Sequence, residues 1–105
     1  MATQPVDFRK GMNGLAAYVK ANFELDPYSG ALFVFRSKGG DRIKVLQWDD
    51  AGLALVHKRF AAKGIPWPPK VGARLALTRL QFEALFEGLD WRRIVPAREV
   101  TPKLL

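Results

Sequence analysis

The sequence contains no cysteine. That excludes disulfides, thiolate metal sites and a cysteine nucleophile. Histidine occurs once, as His57, and the carboxylates do not fall at metal-ligand spacing. With no nucleophile to partner it, His57 reads as a polar surface residue rather than a catalytic base. Phosphate-loop and dinucleotide fingerprints are missing as well. "SKGGD" is glycine-rich, but it is short and leads into a strand rather than a helix. No apolar window approaches the length of a membrane span, and "MATQPVDFRKG" lacks the apolar run of a signal peptide. The expectation is a soluble, cytoplasmic chain with no cofactor, no metal and no membrane partner. Acidic residues are scarce, with 10 Asp and Glu against 17 Lys and Arg. Asp49–Asp50 is the one adjacent acidic pair. Two-metal phosphoryl transfer needs several converging carboxylates, so these two read as turn residues. No catalytic residue is assigned, and a small nuclease stands only as a third reading.

What is present is one domain's worth of chain, 105 residues, 49% apolar and 26% charged, enough for a core of its own. Residues 1–93 read as a single domain. Residues 94–105 read as a basic, flexible tail, because the chain after "DWRR" is proline-spaced and charged. The formal net charge is +7, an excess that favours polyanionic partners such as nucleic acid.

Residues 1–6 read as a disordered lead. A helix is predicted from Asp7, a good N-cap type, with Phe8, Met12, Leu15, Val19 and Phe23 forming one apolar stripe. "DPYSG" is a turn. Ala31–Arg36 and Arg42–Trp48 are rich in strand formers, and the register between them can be argued. A two-residue Gly39–Gly40 loop places Phe35 opposite Lys44. An odd-length loop centred on Gly39 places Phe35 opposite Ile43 and Phe33 opposite Val45. The second puts all four apolar side chains on one face and is preferred. It sets Arg36 against Arg42 on the other face, beside Lys44.

"DDAG" is a second turn, and Leu53–Phe60 reads as a third strand. Pairing Trp48 with Leu53 brings Val56 beside Val45, His57 beside Lys44 and Arg59 beside Arg42. A helix from Leu53 to Lys63, capped by Gly64, is the competing reading. "GIPWPPKVGA" is a rigid loop, and Leu75–Leu77 a possible short strand. "TRLQ" is a capping box opening an apolar helix, with Thr78 as N-cap, Gln81 at N3 and Gly88 at the far end. The fold class is therefore α+β, a small antiparallel meander of three to four strands packed with an N-terminal and a C-terminal helix around one core. Leu15, Phe33, Phe35, Ile43, Val45, Phe82 and Leu85 are the predicted core.

Chemistry then rests on the basic sheet end. Arg36, Lys38, Arg42, Lys44, Lys58 and Arg59 are the candidate nucleic-acid-binding residues, and a two-stranded ribbon with a basic tip can enter a major groove. Trp48 and Trp67 could stack on bases, although core packing accounts for both.

The segments "DFRKGMNGLA", "GALFVFRSKGGDRIKVLQWDDAGL", "KRF" and "LFEGLDWR" follow one another in order. Together they resemble the TnpB-type accessory proteins of the insertion-sequence sixty-six family of transposable elements, which are not the RNA-guided nucleases of the same name. The resemblance spans Asp7 to Arg93. It implies a role in bacterial DNA transposition beside a separate, larger transposase that carries the catalytic carboxylates. By resemblance, Arg9, Lys10 and Gly11 occupy motif positions, as do Arg36, Gly40, Asp41, Lys44, Trp48, Asp49 and Gly52. So do Lys58, Arg59, Trp67, Pro68, Gly88, Asp90 and Trp91. The implied partners are nucleic acid, at the element's DNA ends, and the transposase. Family members usually carry a strand before "RKG". Only six residues precede Asp7 here, which leaves a sheet edge open to pairing in a homo-oligomer. Gln47 stands where an aromatic is common. Two functional readings follow, a DNA-binding accessory protein and a protein–protein adaptor for the transposase.

Overall fold

The computed structural model describes residues 1–61, 65–70 and 72–94. The predicted tail from residue 95 onward and the predicted cap Gly64 lie outside them. Three strands form an antiparallel meander in the order β1 (Phe33–Arg36), β2 (Arg42–Trp48) and β3 (Leu53–Arg59). Helix α1 (Met12–Tyr18) precedes the sheet and continues as a π-helical segment, Val19–Phe23. Helix α2 (Arg79–Phe86) follows it, and a 3-10 turn at Trp91–Arg93 ends the described chain. This is the α+β architecture the sequence predicts.

The β1–β2 register corrects the preferred pairing. Phe35 lies opposite Lys44, Phe33 opposite Leu46, and Arg36 opposite Ile43. A one-residue slip turns every side chain of β1 to the other face. Phe33 and Phe35 therefore share a face with Lys44 and Leu46, and Val34 and Arg36 share the opposite face with Ile43 and Val45. The hairpin loop is longer than two residues, with Ser37 N donating to Arg42 O at 3.0 Å and Gly40 N donating to Ser37 O at 3.1 Å. Gly40 takes φ +75°, and a Cβ there would stand 3.1 Å from Trp67 Nε1. Only glycine meets both demands.

The slip has a physical reason. The sheet is covered on both faces, so there are two cores rather than one. Leu15, Val19 and Phe23 pack with Phe33, Phe35 and Leu46 on one side. Ala84, Leu85 and Trp91 pack with Val34, Ile43 and Val45 on the other. A strand buried on both faces has no solvent side to specify. Of the predicted core residues, Phe82 is only partly buried and the rest are buried. The π turn brings Tyr18 and Phe23 to the same side of the helix. Their rings meet edge-on at 5.7 Å, and Phe23 stacks on Phe35 at 6.1 Å.

The lead and the first helix also differ from expectation. Residues 1–6 are ordered along the outer edge of β1. Ala2 N donates to Val34 O at 2.8 Å and Val6 N to Arg36 O at 3.1 Å. Ala2 also bridges to Arg74, one residue before the predicted strand Leu75–Leu77, which does not form. The edge predicted to be open is thus covered. Helix α1 begins at Met12 rather than Asp7. The Asp7 carboxylate accepts from Arg9 N at 2.9 Å, which makes a local turn. The carbonyls of Phe8 and Lys10, which a helix would use, accept from Lys44 Nζ instead.

The third strand pairs as predicted, with Trp48 opposite Leu53, Lys44 opposite His57 and Arg42 opposite Arg59. The strand reading, not the helix, holds for Leu53–Arg59. The Thr78–Gln81 capping box is present. Gly88, at φ +79°, closes α2 through Gly88 N to Leu85 O and Leu89 N to Ala84 O, both 2.9 Å, the paired pattern of a Schellman end.

Candidate nucleic-acid interface

The six candidate cations separate into two groups. Arg36 turns onto the α2 face, where it is 8% exposed, and its guanidinium lies 5.7 Å from the Trp67 ring. Its Nε has no hydrogen-bond partner. Lys58 is on that same face, with Nζ donating to Phe86 O and lying 4.2 Å from the Phe86 ring centre. Lys44 points the other way, beneath the Asp7–Lys10 turn. Its Nζ donates to Phe8 O at 2.7 Å and Lys10 O at 2.9 Å, 5.0 Å from the Phe8 ring. These three ammonium and guanidinium groups are absorbed in packing, and the expected sharing of a face by Arg36, Arg42 and Lys44 does not occur.

Lys38, Arg42 and Arg59 remain accessible. Arg42 and Arg59 are directly opposed across β2 and β3, and none of the three has a carboxylate partner among the described residues. Two arginines side by side repel, which opposes folding slightly. Lys38 lies at the hairpin tip, which faces Pro5–Phe8 across an open cleft of about 580 Å³. Arg42 and Asp41 line the same cleft. The cleft at this end of the sheet is framed by two loops and lined by Lys38 and Arg42 together with Asp7 and Asp41.

Arg9 and Lys10 also lie at this end, although as sequence they read only as motif positions. Arg9 is tied to Asp7 by a bidentate pair, the shortest contact being 2.7 Å. Hydrogen bonding from Arg9 pulls the Asp7 carboxyl down to about 2, and the same pair raises Arg9. Lys10 is exposed and has no ion pair among the described residues. The signal for both was the adjacency of two basic residues to Gly11, which stands just before the first helix.

Several motif residues have structural duties. Asp49 accepts from Ala51 N and Gly52 N at 3.1 and 2.9 Å, which builds the β2–β3 turn. Asp90 accepts from Arg92 N at 3.1 Å to start the 3-10 turn, and its carboxyl is lowered by the Arg92 hydrogen bond. Trp91 is buried and donates to Pro66 O at 2.6 Å, while Trp67 donates to Gly40 O at 3.3 Å. Trp48 packs edge-on to Tyr28 at 5.5 Å. Among the described residues no three His, Cys, Asp or Glu side chains gather where they could hold a metal.

Residues 1–96 match the family described as "IS66 Orf2 like protein". The chain belongs to the IS66 TnpB-like family. Membership places it among the transposition-associated accessory proteins, in a context of transposase and DNA machinery. Two relatives come from Sinorhizobium fredii (strain NBRC 101917 / NGR234). "Uncharacterized protein y4jC" is 44% identical over 94 residues, 90% of this chain and 80% of the relative. "Uncharacterized protein y4hO" is 37% identical over 92 residues, 88% of this chain and 80% of that protein. No solved structure matches. Among the described residues no helix is long and apolar enough to cross a membrane.

Proposed function

We propose that this IS66-family protein is a non-enzymatic accessory factor that binds nucleic acid through the cationic end of its sheet. The observation carrying this reading is the Arg42–Arg59 pair, directly opposed and without a carboxylate partner among the described residues. Lys38 extends the positive surface at the hairpin tip. A phosphate backbone would offset the repulsion between the two arginines and supply the acceptors they lack. Arg36, Lys44 and Lys58 support this surface from within, by holding Trp67, the Asp7–Lys10 turn and α2 against the sheet. Bacterial cytoplasm, in association with the nucleoid, is the compartment this reading implies.

The test is a titration of the purified protein with the element's terminal repeats and with scrambled DNA at several salt concentrations. Binding that weakens steadily with salt supports the reading, because phosphate contacts release counterions. Absence of binding even at low salt would remove it. That result would favour the second reading, an adaptor assembling with the transposase without touching DNA. Exposed Leu25, Leu32 and Leu75 around a groove of about 370 Å³ give that alternative its footing.

A further inference from the structure

The two edges of the sheet are unequal. Residues 1–6 cover β1, but β3 faces outward. Phe60 N donates to Asp41 O and Asp49 N to Gly52 O, which fixes the alternation along β3. Gly52, Ala54, Val56, Lys58 and Phe60 direct their backbone groups toward β2. Leu53, Leu55, His57 and Arg59 direct theirs away from the sheet. Among the described residues none of these four makes another backbone hydrogen bond. Val56, at the centre of the strand, is 47% exposed.

We propose that this edge pairs with the β3 edge of a second copy, antiparallel and centred on Val56, to give a continuous six-stranded sheet. Three observations select that occupant and register. Antiparallel pairing about Val56 engages all seven residues of the strand, whereas centring on His57 leaves Leu53 and Ala54 beyond the partner strand. It sets Val56 against Val56 of the second copy, Leu55 against His57, Ala54 against Lys58, and Leu53 against Arg59, so that no like charges are opposed. It also brings the Lys58–Arg59 end of each strand toward the exposed Asp49–Asp50 turn of the other. A parallel pairing would instead stack basic end on basic end, which is unfavourable. The two-fold axis lies perpendicular to the sheet, so both Arg42–Arg59 pairs face the same side. The assembly rests on backbone groups of β3 and stands whether or not those arginines touch DNA.

Because the chain has no cysteine, single cysteines report the geometry cleanly. In this register Val56 and its counterpart form a non-hydrogen-bonded pair with Cα atoms about 4.5 Å apart, within disulfide reach. Two copies of residue 54 stand about 13 Å apart along the strand, four residue steps of about 3.3 Å. Under mild oxidation Val56→Cys should give a disulfide-linked dimer at least tenfold faster than Ala54→Cys. Sedimentation of the unmodified protein, on the order of 100 μM to suit a small interface, should give a dimer mass. Val56→Lys should give a folded monomer whose circular dichroism spectrum matches that of the unmodified protein. Equal cross-linking at both positions, or a monomer mass for the unmodified protein throughout, would overturn the proposal.

Discussion

Arg42 and Lys44 stand two residues apart on one strand and face the same way, yet they do different work. Lys44 is 7% exposed and bound to two carbonyls. Arg42 is half-buried and has no acidic partner among the described residues. Lys44→Met keeps the aliphatic stem but strands the carbonyls of Phe8 and Lys10. Leaving buried polar groups unpaired costs about 1–3 kcal/mol, so thermal unfolding should shift clearly downward. A melting curve like that of the unmodified protein would show that Lys44 does not hold the Asp7–Lys10 turn. Asp7 offers a pH readout of the same turn. Its pairing with Arg9 lowers its folded pKa to about 2. Its small contribution is thus complete above the ordinary carboxylate range and lost as pH falls through that value. NMR titration should find this low midpoint, and Arg9→Ala should return it toward the ordinary range.

At the scale of elements, what was legible in the sequence was whatever is local. The capping box of α2, its glycine end and the β2–β3 register all follow from residues a few positions apart. Gly88→Ala should cost about 1 kcal/mol, because the left-handed conformation at the end of α2 penalises a side chain. An unchanged denaturant midpoint would contradict that. The β1–β2 register was not legible from a one-face pattern. Phe33, Val34 and Phe35 form an unbroken apolar run, and such a run fits a strand buried on both sides better than an alternating one. Reading it as alternating placed Arg36 with Arg42. The start of α1 was missed for a long-range reason, since the carbonyls that would extend it are taken by Lys44, more than thirty residues away.

At the scale of the whole molecule, the sheet separates two apolar layers. Phe35 is fully buried at the centre of the α1 layer. Phe35→Ala should cost about 3–5 kcal/mol, and a neutral result would contradict the packing of that layer. The candidate site was legible in part. Lys38, Arg42 and Arg59 remain on the surface, while Arg36, Lys44 and Lys58 are drawn inward because aromatic rings and free carbonyls lie within their reach. Charge counted along a sequence cannot distinguish those two fates. The most direct test of the account is the salt dependence of DNA binding by an Arg42→Gln, Arg59→Gln double variant. Each neutralised phosphate contributes about 0.9 to the slope on double-stranded DNA. The slope should therefore fall by about two units, with weaker binding to all sequences and no loss of thermal stability. A folded double variant that keeps the original slope and affinity would contradict the claim that this arginine pair meets the phosphate backbone.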